Sequence, residues 1–346
     1  MNKTLFTAMM LAVFILPLSL SAAMQSDVRK GLITAKALEQ ELQNSTSSQL
    51  VIEVGWGGPE DYYNKGHIPG SFHVNTDELE YDTFKARSTT KPEELGRSTT
   101  AEEDLAKGLS SDDTLPANWW NIYPDQFLLP ALANMGITID SSVVIYAKDP
   151  TAAARLAWTL MYAGVDDVRL LDGGLESWKK AGFPVSTEAT ARKPVKSFGT
   201  NKPLHPEYLV DIPFVRTAIN SNSDDFILAD IRTKKEYDGI SAPYSYIPSK
   251  GRVKNAHWGK AGDGPWSMEN YVNADGTFKS TAEVAIMWAE NGITADKHVA
   301  FYCGTGWRSS LAFYFAHMMG WENISNFDSS WYEWSLGPDA KKNPVQ

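Results

Sequence analysis

The feature that most constrains this chain is that its two halves repeat. Aligning Ala147 with Cys303 sets an offset of 156, and the same offset pairs Tyr146 with Tyr302, Gly164 with Gly320, Asp172 with Asp328 and Trp178 with Trp334 without a gap. Farther upstream Gly66 pairs with Gly251 at an offset of 185, so the first half carries about 29 more residues between these anchors. A chain of 346 residues is long enough for two domains of ordinary size. The repeat therefore asks for one architecture built twice.

Apolar periodicity and turn residues say which architecture. In the first half a helix capped by Thr34 runs to Gln43, a strand covers 49–54, and a turn-rich link from Tyr63 to Phe72 leads into a short strand. A helix over 125–135, a strand over 142–147, a helix over 152–162, a strand over 168–171 and a helix over 175–181 follow. The second half reads as a helix over 212–219, a strand over 226–230, a helix from about Thr233, a helix over 282–290 and a strand over 298–302. It ends with a helix from Trp307 to about Met319, a strand over 324–327 and a helix over 331–334. Strands that alternate with helices imply an α/β fold, each domain a mainly parallel sheet flanked by helices. The expected division is a first domain over 24–187, a linker rich in Thr, Ala, Lys and Pro over 188–203, and a second domain over 204–340. The polar span 76–116 reads as an insertion carrying short helices, which accounts for the extra length of the first half.

Residues 1–23 read as a signal peptide. Lys3 gives a positive start, an apolar run extends from Leu5 to Leu20, and Ser21-Ala22-Ala23 supplies small residues for cleavage near Ala23. The run is short for a membrane span, so the expectation is export to a bacterial periplasm with no membrane attachment after cleavage. The formal charge of −10 and the lack of basic runs argue against nucleic acid as a partner. Any anion must be held locally, against the field of the whole chain.

Such a place is offered by Phe301-Tyr302-Cys303-Gly304-Thr305-Gly306-Trp307-Arg308-Ser309-Ser310, which holds the one cysteine of the sequence. The cysteine ends a strand, two glycines let the loop amides turn inward, and a helix begins at Trp307, so unpaired N–H groups and the positive end of the helix dipole converge on the thiol. Helix N-termini and nearby cations bring a cysteine down from about 8.5 to roughly 3.5–7.5. Arg308 adds a permanently charged planar fork suited to an oxyanion. A lone cysteine is commonly a small buried hydrophobe, but strand end, paired glycines and arginine together favour a nucleophile. The equivalent loop of the first half, Ala147-Lys148-Asp149-Pro150-Thr151, has no nucleophile and puts an aspartate where an anion would sit. His67 and His257 lack partners at metal-ligand spacing and read as structural, so neither a metal nor another cofactor is expected.

Tyr63 to Phe72, with its Gly-His-Ile-Pro-Gly core, resembles the N-terminal motif of rhodanese domains, and Leu171-Asp172-Gly173-Gly174-Leu175-Glu176-Ser177-Trp178 resembles their C-terminal motif. Cys303 to Arg308 is similar to their active-site loop, and the whole is most similar to periplasmic sulfurtransferases with tandem rhodanese domains, in which the first domain is typically inactive. The resemblance implies Cys303 as the catalytic nucleophile and Gly304, Thr305, Gly306, Trp307 and Arg308 as substrate-binding residues. It adds Arg232, after Asp230-Ile231, as a candidate for holding the donor, set against a structural pairing of Arg232 with Asp230 or another carboxylate. The implied reaction moves sulfane sulfur from a small anionic donor, thiosulfate or 3-mercaptopyruvate, through a Cys303 persulfide to an external thiol or cyanide. The alternative is a persulfide carrier that delivers sulfur to a protein partner. Four residues separate Cys303 from Arg308, one fewer than in the cysteine phosphatases that share such a loop, which favours sulfur over phosphate. Ser329 and Ser330 replace the paired glycines of the C-terminal motif and are expected to alter the turn there and leave the chemistry alone.

Overall fold

The computed structural model describes residues 31–44, 49–80, 120–221 and 223–346. The signal-like run and most of the polar insertion lie outside them. The first domain holds a five-stranded sheet of β1 (Leu32–Ile33), β2 (Leu50–Gly55), β3 (Phe72–Asn75), β4 (Ser142–Ala147) and β5 (Asp167–Leu171), in the order β1-β5-β4-β2-β3 with every pairing parallel. Its helices are α1 (Ala35–Gln43), α2 (Asp125–Asn134), α3 (Pro150–Ala163) and α4 (Gly174–Lys180). The second domain holds β6 (Phe226–Asp230), β7 (His257–Trp258), β8 (His298–Tyr302) and β9 (Ile324–Asn326) in the parallel order β7-β6-β8-β9. Around it lie α5 (Ile212–Ser221), α6 (Lys234–Tyr237), α7 (Thr281–Ala289), α8 (Trp307–Met318) and α9 (Ser330–Leu336). The central strands β4 and β8 are nearly continuous apolar runs because both of their faces are covered. The segment 188–203 carries neither helix nor strand.

The sequence repeat is also a repeat of contacts. Tyr146 at the end of β4 accepts the Ile68 N–H at 3.1 Å, and Tyr302 at the end of β8 accepts the Val253 N–H at 3.2 Å. The Trp178 indole donates to the Pro184 carbonyl and the Trp334 indole to the Pro344 carbonyl. Asp172 accepts the Phe278 N–H of the second domain at 2.7 Å, and Asp328 accepts the Ile122 N–H of the first at 2.8 Å. Ile122 and Phe278 are themselves 156 apart. Each domain thus reaches across to the other by the same bond, which gives the pair an approximate two-fold relation.

Between the sheets, α3 packs on α8. From Thr151 to Ala163 every residue of α3 is buried, and so are Arg308 to Ala316 of α8. A helix buried all round must be apolar all round, and Ala152, Ala153, Ala154, Ala157, Ala312 and Ala316 supply that character with little bulk. Each helix carries one buried arginine: Arg308 in α8 and, where the second copy has Leu311, Arg155 in α3. The Arg155 guanidinium donates to Glu80 at 3.1 Å, to Asp328 at 2.5 Å and to the Trp120 carbonyl at 2.7 Å. Glu80 also accepts the Trp307 indole N–H at 3.0 Å.

Glu80 and its neighbours were expected within the insertion. There Thr76–Glu78 forms one short, buried helical turn capped by Asn75, and Glu80 bridges to Ile122. The charges mislead because each is paired inside: Glu78 takes a bidentate bond from Arg192, and Glu80 meets Arg155. One guanidinium cannot neutralise two buried carboxylates. Burial pushes Glu80 up to about 8, with Arg155 pulling the other way and Asp328 adding to the rise.

The folded chain therefore holds the Glu80 proton more tightly than the unfolded chain, in which the group titrates near 4.5. The contribution from this site should be complete below about pH 4.5 and be lost as pH rises toward about 8, at a rate of roughly 1 kcal/mol per pH unit. Glu80→Gln should flatten that slope in denaturant titrations run from pH 5 to 8.5. Parallel slopes for the two proteins would show that Glu80 does not carry the proton.

Candidate active site

Cys303 follows directly on β8 and is 1 % exposed, the floor of a cavity of about 460 Å³ between the two domains. Its backbone is fixed on three sides. The Cys303 N–H donates to the Ser330 hydroxyl at 3.2 Å, the Cys303 carbonyl accepts from Trp331 N–H at 3.0 Å, and the Gly304 carbonyl accepts from Tyr332 N–H at 3.0 Å. Gly306 then caps α8 in the left-handed region at φ 89°, and a Cβ there would come within 2.6 Å of Asp328 and 2.8 Å of Arg155. Only glycine fits this position. The loop is thereby seated on the interdomain ion cluster, with the Gly306 carbonyl 3.5 Å from the Arg155 guanidinium.

Burial acts to raise the Cys303 thiol, but the Arg308 charge and the backbone N–H groups of Ser309, Thr305 and Gly306 outweigh it and hold the thiol below its ordinary value. The cradle thus includes Ser309, one residue beyond the span expected from the sequence. Such a thiolate is nucleophilic, and the same amides can hold the terminal sulfur of a persulfide.

Gly304, Thr305, Trp307 and Arg308 all line the cavity, and Gly306 lies behind it. Arg308 is not a free cation. Its two terminal nitrogens lie 3.3 Å from the Glu236 carboxylate, and one donates to the Tyr244 hydroxyl at 2.8 Å. Glu236 is locked in turn by the capping box of α6 with Thr233. Burial works against its charge, yet Arg308 prevails and keeps it below the usual carboxylate range.

Arg232 requires a correction. It does not line the cavity: its side chain is 3 % exposed, donates to both oxygens of Asp230 at 2.8 and 2.6 Å and to the Gly251 carbonyl, and lies over the Tyr302 and Trp331 rings. Held by Asp230 at the end of β6 and by the Gly251 carbonyl, Arg232 braces the end of that strand, outside the cavity lining. His67 is stacked on Tyr63 at 3.7 Å and lies between backbone carbonyls. Trp258 packs against Tyr237, away from the cavity.

Ser329 and Ser330 do alter the turn: Ser329 lies at φ −52° where its repeat partner Gly173 lies at 75°, while Ser330 keeps the left-handed conformation of Gly174, with φ 50° against 54°, and adds a hydroxyl beneath Cys303. The remaining walls are aromatic and come from both domains: Trp56 and Trp120 from the first, Tyr244, Tyr246 and Trp266 from the second. Asp149 and Thr151 complete the rim, with Asp149 capping α3 through bonds to the Thr151 N–H and hydroxyl. Trp266 and Trp307 are aromatic residues that the sequence offers as pocket walls, and both line the cavity; Trp56 and Trp120 gave no signal, because aromatic residues on separate loops share no spacing.

Comparison with known proteins agrees with this geometry. The rhodanese-like domain family matches residues 34–181 and 215–336. The chain is 37% identical over 296 residues to the thiosulfate sulfurtransferase YnjE of Escherichia coli, covering 85% of this chain and 59% of that protein. It is 31% identical over 217 residues to the sulfur carrier protein TtuD of Thermus thermophilus, covering 59% of this chain and 71% of that one. The solved structure of an anaerobic ergothioneine biosynthesis enzyme from Chlorobium limicola, described in complex with its natural substrate trimethyl histidine, superposes with a TM-score of 0.75 at 32% identity over 92% of this chain and 70% of that one. A structure of EanB in a cysteine-persulfide intermediate state superposes equally well, covering 92% of this chain and 70% of that one at 32% identity. The family model matches both halves, each is built on a parallel sheet, and the second carries the cysteine loop: the chain belongs to the rhodanese family, with two tandem rhodanese-like domains.

Proposed function

We propose that the protein is a sulfurtransferase whose Cys303 takes sulfane sulfur from a small donor and passes it to an external acceptor. The observation that carries this reading is the Cys303 thiol at the floor of an interdomain cleft, lowered by Arg308 and three loop amides. In the first half-reaction the thiolate attacks the donor's outer sulfur, the Sγ–S bond forms, and the donor's own bond to that sulfur breaks. Sulfite leaves from thiosulfate, or pyruvate, after taking up a proton, from 3-mercaptopyruvate. An acceptor nucleophile then removes the outer sulfur and returns the electron pair to Sγ, so ping-pong kinetics follow. The first domain supplies a wall and no nucleophile, since Ala147 stands where Cys303 does. Secretion to the periplasm belongs to the same reading and rests on the apolar run ahead of Ala23.

Between the two donors, the site favours 3-mercaptopyruvate. Among the described residues Arg308 is the cation in the lining, and Glu236 is paired with it at 3.3 Å, while Asp149 adds a negative charge at the rim. A dianion such as thiosulfate gains less here than a monocarboxylate. A carrier role is favoured by the likeness to TtuD, and a donor assay separates the two readings.

Intact mass after incubation with each donor should show one added sulfur atom on Cys303, at lower concentrations of 3-mercaptopyruvate than of thiosulfate, and a thiol chase should remove it. If neither donor adds mass to a protein whose cysteine still alkylates, the carrier reading replaces the enzyme. Cys303→Ser should abolish transfer and leave the thermal transition in place; transfer that survives would place the chemistry elsewhere. Arg308→Lys should move the midpoint of the pH profile of Cys303 alkylation upward, because a point charge replaces the fork over the thiol. An unmoved midpoint would remove Arg308 from thiol activation.

A further inference from the structure

The walls above Cys303 are unusual for a site that handles small anions. Trp120 meets Tyr246 edge-on at 4.8 Å, Tyr246 stacks on Tyr244 at 5.4 Å, and Trp266 meets Tyr244 edge-on at 4.8 Å, so four rings form one continuous wall. Trp307 closes the cleft from the loop side, with its indole N–H turned away to Glu80. Trp266 is 70 % exposed, although a ring of this size is ordinarily packed away. The charges of the described lining point the same way: Arg308 is paired with Glu236, and Asp149 adds a carboxylate at the rim. Aromatic faces carry negative quadrupoles and attract compact, weakly hydrated cations. Ring wall and rim carboxylate are two separate features that select the same ligand.

We propose that this wall recognises a methylated ammonium group and that the sulfur acceptor is a thiol carrying one. The inference rests on the sulfurtransferase reading and names the acceptor class for that site. With the cation held against the Trp266 and Tyr246 side, the acceptor sulfur attacks the outer sulfur of the Cys303 persulfide. A new S–S bond forms on the acceptor, the Sγ–S bond breaks with its electron pair returning to Sγ, and the acceptor's proton ends on the transferred sulfur. The products are the Cys303 thiolate and the acceptor persulfide. Donor and acceptor then use different halves of the cleft, the donor near Arg308 and the acceptor against the rings.

Two measurements test this, one of which needs no sulfur transfer. Tetramethylammonium chloride should slow alkylation of Cys303 by iodoacetamide about threefold or more, on the scale of a single cation–π contact, while tert-butanol and sodium chloride at matched concentration should not. Trp266→Leu, a change at an exposed position, and Asp149→Asn, which keeps the helix cap, should each weaken the protection. Equal protection by the neutral isostere, or none by the cation, overturns the proposal whatever the fate of the sulfurtransferase reading. The second measurement uses protein charged with sulfur. Thiocholine should discharge it about tenfold faster than 3,3-dimethylbutane-1-thiol, each rate taken per thiolate present, with the advantage lost in Trp266→Leu. Normal charging followed by equal discharge would sink the cation site and leave sulfur transfer standing; failure to charge, with protection intact, would do the reverse.

Discussion

A guanidinium buried between two domains is costly unless its hydrogens are spent, and Arg155 spends them on both domains at once. Glu80 and the Trp120 carbonyl belong to the first, Asp328 and the Gly306 carbonyl to the second. Removing one partner of such a buried set leaves an uncompensated charge, which costs more than the intact set contributes. The cluster therefore fixes an arrangement more than it adds stability. What it fixes is the floor of the cleft, because Gly306 and Trp307 both belong to the cysteine loop. The repeat alone would give two equivalent faces; Arg155, absent from the second copy, breaks that equivalence on the side where chemistry occurs.

The two copies show how one backbone serves opposite ends. Both place a strand, a tight loop and a helix N-terminus in sequence, and a helix N-terminus attracts negative charge. In the first copy Asp149 supplies that charge from within, bonded to the Thr151 amide and hydroxyl. In the second, Gly306 caps the helix without a side chain, and the loop amides turn to the Cys303 sulfur instead. An internal carboxylate makes the first loop self-sufficient and so unreactive. Leaving the second loop without one creates a site whose negative charge must come from a thiolate or a persulfide.

Much of this was legible in the sequence. The repeat offset reappears as paired contacts, from the tyrosine hydroxyls to the aspartates that cross the interface. Thr34 caps its helix as its residue type suggests, and long elements with clear periodicity lie within one or two residues of expectation. What was not legible depends on pairing across space. Thr76 to Glu80 look like surface because charge density is all that a sequence shows there, yet Arg192 and Arg155, far along the chain, make them core. Arg232 could be read from the sequence either as a donor ligand or as a structural partner of nearby Asp230, and the second is the arrangement found. β1 and β7, at two residues each, are too short to show any period.

Arg308 and Arg232 together show why residue type alone does not assign a role. Both are buried, both face a carboxylate and both lie beside an aromatic ring. The difference is geometric. Asp230 meets Arg232 at 2.6 Å and leaves little of its field for anything else, whereas Glu236 stands 3.3 Å from Arg308, which still faces the cavity and still lowers the Cys303 thiol. A cation half-claimed in this way can hold one negative sulfur close by without building a strong trap for free anions in the cleft above. That is the balance a persulfide enzyme requires: the charge that stabilises the bound sulfur must not hold the leaving group as tightly, or the second half-reaction would wait on its release.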